Sequence, residues 1–395
     1  MSLRTIKPNI YFLGSQDWDR KLFDELITLP QGTSYNSYFI LGNSKNALID
    51  TVDPSKSHEL ISKLKKIDAK ADYIIVNHAE QDHSGSLPEI LELYPDAKIV
   101  TNEKCKELLK NLLFIPEEKF FIVTDGETLS LGDKTLQFLI TPWVHWPETM
   151  TTYLREDKIL FSCDLFGSHL AGSQLFIENE KSIYSPLKRY YAEIMMPFRK
   201  MIVGNINKIS ALDIDIIAPS HGPLHKNVEY IIGLYKEWVS DKTKPEVILP
   251  YVSMHGSTRA MVDYLIEYLM NRNMVVKPFN LTNTDIGDIA ESLVDASTLI
   301  IATPTVLTGP HPLAVYIAYL TNILKPKIKY LSVIGSYGWG GRTVEQLKNM
   351  VSNLNVEIIE PVLVKGQSKD EDLEKIQKLA DKIILLNQSI NMVSK

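Results

Sequence analysis

Apolar and polar positions along this chain follow two different rhythms, and the change falls near residue 245. Before it, short strand-like runs (Asn9–Leu13, Ser37–Leu41, Asn46–Asp50) mix with amphipathic helices such as Ser57–Ile67 and Glu103–Leu113. After it, the alternation is regular. Strand-like Val247–Tyr251 precedes helical Thr258–Met270, and Val275–Phe279 precedes Ile286–Val294. Thr298–Ala302 then precedes Leu313–Ile323, Tyr330–Ile334 precedes Thr343–Leu354, and Val356–Val364 precedes Asp370–Leu386. Five such units in a row predict an open parallel sheet covered on both faces. Between the two rhythms lies Asp241-Lys242-Thr243-Lys244-Pro245, charged, polar and closed by proline, as a linker would be. The expected organisation is one domain over residues 1–245 and a second over 246–395, with no internal repeat.

The polar residues that interrupt the first rhythm carry chemistry. One residue after the apolar run Tyr73-Ile74-Ile75-Val76 comes His78-Ala79-Glu80-Gln81-Asp82-His83. Imidazoles and carboxylates packed this densely at a strand end suit a pair of divalent metals, and the carboxylates shift the preference from zinc toward harder, redox-active iron. A single such run is also compatible with a polar turn. Three further runs end in the same way, however: Ile159–Cys163 in Asp164, Leu136–Ile140 in His145 and Ile214–Ala218 in His221. Strand ends converging on one sheet edge are where layered α/β folds build sites.

The second half carries its signals at strand ends too. Ser253-Met254-His255-Gly256-Ser257-Thr258 joins the first strand to the first helix, offering hydroxyls, a flexible glycine and the free N–H groups of a helix start, which suit a phosphate. It has no P-loop lysine and no GxGxxG, so neither ATP nor a dinucleotide is favoured. Two further loops, Thr303-Pro304-Thr305-Val306-Leu307 continuing to Pro310, and Gly335-Ser336-Tyr337-Gly338-Trp339-Gly340-Gly341, are turn-rich and hold aromatic or apolar side chains. Together the three predict a flavin mononucleotide (FMN) site: one loop for phosphate, two around a flat ring.

Composition narrows the classes. At 395 residues and 45% hydrophobic content the chain is long enough for two cores. A net charge of −6 with interspersed signs gives no footprint for nucleic acid. Cys105 and Cys163 cannot build a disulfide framework, a rubredoxin centre or an iron–sulfur cluster, and they fit a reducing cytoplasm. Met1-Ser2-Leu3-Arg4 opens without an apolar signal core, and no long uncharged run suits a bilayer.

Over essentially its whole length the chain resembles the flavodiiron proteins (A-type flavoproteins), which fuse a metallo-β-lactamase-like αβ/βα sandwich to a flavodoxin-like doubly wound sheet. The motifs that carry the resemblance are His78-x-Glu80-x-Asp82-His83, His145-Trp146-Pro147-Glu148-Thr149-Met150, Ser162-Cys163-Asp164-Leu165-Phe166-Gly167, Pro219-Ser220-His221-Gly222 and the Ser253–Thr258 loop. Hydrolytic relatives usually carry histidine where Glu80 stands. The resemblance implies that His78, Glu80 and His145 hold one iron, that Asp82 and His221 hold the other, and that Asp164 bridges them. His83 stands at a position that is a ligand in some members and swung away in others. It further implies reduction of dioxygen to water or nitric oxide to nitrous oxide, an external donor such as rubredoxin or reduced F420, and a head-to-tail homodimer, sometimes doubled to a tetramer. Two other readings are set beside it: a zinc-dependent hydrolase on the same sandwich, and a flavodoxin-like electron carrier with an inactive metal domain.

Overall fold

The computed structural model describes residues 3–393, with side chains described through Ile390. The chain divides into two compact units, the first running to Tyr191 and resuming over Phe198–Val239, the second holding Ala192–Pro197 and everything from Ser240 onward. The Asp241–Pro245 segment is only partly a connection, because Lys244 and Pro245 already belong to the strand Lys244–Tyr251. Proline is tolerated at that position because it lies near the start of the strand.

The first unit is built on two mixed sheets. One has seven strands, with Tyr73–Ile75 between Asn46–Ile49 and Lys98–Thr101; the other has five, ending in Thr135–Ile140, Met150–Leu154, Ile159–Cys163 and Ile216–Pro219. Period-two alternation sorts the side chains. From the larger sheet Tyr38, Ile40, Ala47, Ile49, Ile75 and Val100 face Phe138, Met150, Phe161 and Ala218 of the smaller one, forming a core between the sheets. The intervening Phe39, Leu48, Ile74 and Ile99 turn the other way, onto Leu60, Leu64, Ile90 and Leu109 of covering helices. A one-residue register slip would exchange these faces, so burial on both sides fixes the pairing.

That pairing also places strand ends. Ile159–Cys163 and Ile216–Pro219 are parallel neighbours, with Cys163 opposite Pro219, so Asp164 and His221 leave the sheet side by side. Asn36 seals the junction, its side-chain amide donating to the carbonyls of Pro219 (2.8 Å) and Gly222 (2.7 Å). Gly222, at φ +79°, is obligatory here: a Cβ would stand 2.2 Å from Ser168 Oγ.

The second unit is an open sheet in which every neighbouring pair is parallel, in the order Val275–Asn280, Lys244–Tyr251, Ala296–Ala302, Tyr330–Tyr337, and then the last strand region. Read by chain position this is 2-1-3-4-5, which places a crevice at the carboxyl ends of the first and third strands. Separate cores lie on its two faces, one centred on Val262, Leu265 and Ile383, the other on Leu293, Ile317 and Leu347. Several elements differ from the sequence reading. The run Val356–Val364 is broken into Glu357–Ile358 and Val362–Lys365, because Pro361 has no N–H for the ladder. The helix expected to reach Leu354 stops at Met350, and the last one continues to Val393, with buried Asn387 hydrogen-bonded to Thr298 and Ser297.

Candidate metal centre and flavin loops

His78, Glu80, His145 and Asp164 form one group of possible metal donors, and Asp82, His83 and His221 form another. In the first, Glu80 Oε2 lies 3.0 Å from His78 Nε2 and 3.0 Å from His145 Nε2. Asp164 Oδ2 is 3.6 Å from each of the same two nitrogens. Its other oxygen, Oδ1, faces the second group, 3.1 Å from His83 Nε2 and 3.4 Å from His221 Nε2. Asp82 closes that group, Oδ1 at 3.3 Å from His83 Nε2 and Oδ2 at 3.1 Å from His221 Nε2. One carboxylate therefore spans two donor clusters. His83 points inward among these atoms and not away from them.

The fit to metal ions rests on what these atoms lack. Both oxygens of Asp82 and Nε2 of His83 are buried without an aligned hydrogen bond, although oppositely charged neighbours lie within about 3 Å. Donors that converge on a shared point and not on each other are arranged for a cation, since buried polar groups otherwise find partners. Electrostatics agrees. Burial alone would depress His78, but hydrogen bonds with Glu148 and Glu80 and the charge of Asp164 hold it well above the usual imidazole range. His221 is pushed up to about 10: burial opposes this, and Asp164 and Asp82 outweigh it. Burial would raise Glu80 and Asp164, yet the surrounding histidines hold both carboxyls far below their ordinary range. In the metal-free protein, protons on imidazole supply the positive charge that metal ions would otherwise bring. Three carboxylates among four imidazoles make a harder donor set than zinc usually takes.

Several positioning groups were not singled out from sequence. Glu148 Oε1 accepts from His78 Nδ1 at 2.7 Å and from the Ala79 N–H at 3.1 Å, fixing the ring so that Nε2 faces the site. Its place in the His145 segment was visible; its role was not, because the contact joins residues 70 positions apart. The Tyr190 hydroxyl donates to Asp164 Oδ1 at 3.0 Å from a buried position. Phe23, from the small hairpin Leu22–Phe23 and Ile27–Thr28, covers the neighbourhood, its ring 4.9 Å from His169 and 6.2 Å from His221. His225 is buried, its Nε2 donating to the Phe166 carbonyl at 3.0 Å, while His58 is exposed. Cys105 and Cys163 are free and buried.

In the second unit the three expected loops lie at the carboxyl ends of the first, third and fourth strands. The helix Ser257–Met270 begins after Gly256, which has φ +90° and no side chain of its own to cap the helix, while Ser253 Oγ accepts from the Arg259 N–H at 3.2 Å. Three hydroxyls meet there: Ser336 Oγ is 2.8 Å from Ser257 Oγ and 3.0 Å from Thr258 Oγ1. Hydroxyls and unsatisfied N–H groups around a helix start are a ready-made phosphate cradle. Gly335, Ser336 and Tyr337, expected in a loop, are the last residues of the strand Tyr330–Tyr337. Gly335 must be glycine, since a Cβ would lie 1.9 Å from the Thr303 carbonyl oxygen. Thr305–Val306 and Gly309–Pro310 pair as a tiny hairpin, turned by Leu307 and Thr308 in the left-handed region. Around the polar floor stand apolar tips: Met254 is 52% exposed, Leu307 90% and Trp339 74%, with His255, Gly338 and Gly340 also exposed. Ser253, Thr305, Val306 and Tyr337 are half-buried, and Thr303 and Pro304 are buried beneath.

The chain matches the family model described as ODP family beta lactamase over residues 33–222, and that described as flavodoxin over residues 249–378. It is 34% identical over 388 residues to the nitric oxide reductase of Moorella thermoacetica, covering 96% of this chain and 97% of that protein. The chain belongs to the flavodiiron family of oxidoreductases. Among solved structures, rubredoxin oxygen:oxidoreductase from Desulfovibrio gigas superposes with a TM-score of 0.95 at 26% identity, covering 98% of this chain and 99% of that one. The flavodiiron protein of Giardia intestinalis gives 0.90 at 27%, covering 99% and 98%. The fold is thus a β-lactamase-like domain followed by a flavodoxin-like domain. A flavodoxin domain implies FMN, and the flavodiiron family implies a non-haem diiron centre; the hydroxyl cradle and the orphaned carboxylate and imidazole atoms fit both. Among the described residues no helix is long and apolar enough to cross a membrane.

Proposed function

We propose that this flavodiiron protein reduces a small diatomic gas, dioxygen to water and/or nitric oxide to nitrous oxide. The observation that carries the reading is Asp164, one carboxylate turned to two donor clusters. His78, Glu80 and His145 would hold one iron and Asp82, His83 and His221 the other, with the Asp164 carboxylate shared between the two groups. Bound there, two irons and a flavin supply the electron storage and gas binding that no side chain can. The chain's own residues do the rest. Glu148 fixes the face of His78, Tyr190 steadies the bridging carboxylate, and near-complete burial of His78, Asp164 and His221 keeps the site dry. Ser257, Thr258 and Ser336 would receive the FMN phosphate, and the loops Thr303–Leu307 and Tyr337–Gly340 would flank its ring. Among named relatives one is a nitric oxide reductase and another an oxygen oxidoreductase, which supports the pair of substrates.

No nicotinamide fingerprint accompanies these sites, so electrons come from a separate donor, rubredoxin or reduced F420, in the cytoplasm. The working unit is a head-to-tail homodimer, or a tetramer of two such dimers, in which the Trp339 loop of one subunit meets the His145–Met150 segment of its partner. Metal analysis with a visible spectrum tests the core reading. Iron in a two-to-one ratio to FMN, with gas consumption on an added donor, is expected. A colourless zinc protein would return the hydrolase reading, normal flavin without iron the electron-carrier reading, and rapid turnover on NADH alone would remove the separate donor.

A further inference from the structure

We propose that His169 is a further catalytic residue, its Nε2–H donating a hydrogen bond to the gas molecule held at the dinuclear centre, an inference that rests on the gas-reductase reading above. His169 and His221 stand side by side, ring centroids 5.2 Å apart. Both are pinned through Nδ1 to the same short strand, Thr33–Tyr35: His221 Nδ1 is 2.7 Å from the Ser34 carbonyl, and His169 Nδ1 is 2.9 Å from Thr33 Oγ1. An imidazole anchored at Nδ1 presents Nε2 on its far edge. For His221 that nitrogen lies among the carboxylates of Asp82 and Asp164. For His169 that nitrogen is buried and has no hydrogen-bond partner among the described residues, on a residue only 9% exposed.

The proton can be placed. The Thr33 hydroxyl also reaches the Ser34 carbonyl, but only at 3.5 Å, a marginal contact, so we assign its proton to the 2.9 Å contact with His169 Nδ1. An Nδ1 acceptor leaves the ring proton on Nε2. A buried N–H with no acceptor is costly and calls for an explanation. His169 is absent from every donor group that suits a metal, so coordination does not provide one. Its ring is walled by Phe23 at 4.9 Å and by Tyr190 at 4.8 Å, the residue whose hydroxyl touches Asp164. The free N–H therefore belongs to the packed wall of rings that borders the bridging carboxylate. A gas molecule gains negative charge as it is reduced, and a fixed donor in a dry pocket stabilises that charge without reorganising.

The test uses the iron- and FMN-loaded protein in its oxidised state, with azide as a non-reacting anionic probe read by titration and by its infrared stretch. His169→Phe is expected to keep both cofactors, weaken azide about tenfold, the loss of one hydrogen bond to a charged partner, and shift the stretch. His169→Gln, which restores an N–H near the same position, recovers most of the affinity. Thr33→Val frees the ring from its tautomer and weakens azide while iron is retained, an independent check if His169→Phe does not fold. With gas as substrate, His169→Phe lowers kcat more than it raises KM. Unchanged azide affinity and stretch in His169→Phe or Thr33→Val overturns the proposal, as does loss of iron in His169→Phe. A wild-type protein with no iron would instead remove the underlying gas-reductase reading, and this inference with it.

Discussion

The metal centre and the flavin loops solve opposite problems. His78, Asp164 and His221 are almost completely buried, and each is fixed by a partner outside the donor cluster: Glu148, Tyr190 and the Ser34 carbonyl. The flavin loops have a polar floor of three hydroxyls, and their apolar tips Met254, Leu307 and Trp339 stand open. Metal ions demand fixed distances from charged atoms, which only a rigid, dry frame maintains. A flat ring with a phosphate needs one anchored end and surfaces that adapt to the other. Charge dominates the first region, hydrogen bonding and apolar contact the second, so substitutions and pH act on them separately.

Asp164→Asn is the largest expected break. An amide cannot supply negative charge to two cations, and it leaves His78, His83 and His221 facing a neutral group. Metal affinity falls at least about a hundredfold at both positions, at or beyond the upper end of outer-partner effects, while flavin binding is unaffected. Iron and FMN assayed in one preparation check this; full iron in the variant would remove Asp164 from its bridging role.

Alkaline pH separates the regions next. His221 is raised to about 10 from an ordinary 6.5 in the metal-free fold, so the folded state binds that proton more tightly than the unfolded chain. The resulting stabilisation is complete below about 6.5 and is lost as pH rises through about 10. Each unit of such a shift corresponds to about 1.4 kcal/mol, which makes the loss several kcal/mol. The metal-free protein is expected to melt at progressively lower temperature from neutral pH to pH 10, and metal binding to release protons over that range. A metal-free Tm flat across this window would show that the imidazolium does not hold the cluster together.

Glu148→Gln tests the frame and not the ligands. An amide oxygen can still accept from His78 Nδ1, but without the charge that makes the imidazole a strong donor, so affinity at that metal position drops about tenfold to a hundredfold. The second position should change less, because Glu148 touches neither Asp82 nor His221. Stepwise metal titration distinguishes them; equal losses at both would mean that Glu148 acts on the fold as a whole.

The legibility of the two regions in sequence follows the same division. Candidate ligand residues announced themselves because strand ends in layered folds concentrate polar groups after apolar runs, and four such ends carried imidazole or carboxylate. The frame around them did not. Glu148, Tyr190 and Phe23 reach the site from segments whose local pattern is ordinary, and only the pairing of distant strands brings them in, whereas His169 stood out in sequence by its nearness to Asp164. In the second unit the alternating rhythm gave the sheet and its helices, with errors in one strand interior, broken at Pro361, and at element ends, as where the last helix runs past its apolar stripe through buried Asn387. Ser336 was read as loop although it ends a strand, since glycines on both sides mimic a turn while Gly335 serves close packing on Thr303.

That strand-end serine provides the smallest and most selective test. Ser336 Oγ lies within 3.0 Å of both Ser257 Oγ and Thr258 Oγ1, so it joins the helix start to the neighbouring strand before any phosphate arrives. Ser336→Ala removes one hydroxyl from the cradle and leaves the other two without their shared partner. One neutral hydrogen bond contributes about 1 kcal/mol, so FMN affinity should fall about fivefold to tenfold, measured by flavin fluorescence on reconstitution of the apoprotein. Because it leaves two hydroxyls without a shared partner, the substitution should lower Tm modestly, and iron content should not change. Ser336→Thr keeps the hydroxyl and should bind FMN more tightly than the alanine variant. Were Ser336→Ala to hold FMN as firmly as the wild type, the phosphate would lie elsewhere on the sheet edge. The contrast between a charged, rigid centre and a hydroxyl-floored crevice would then need a different second half.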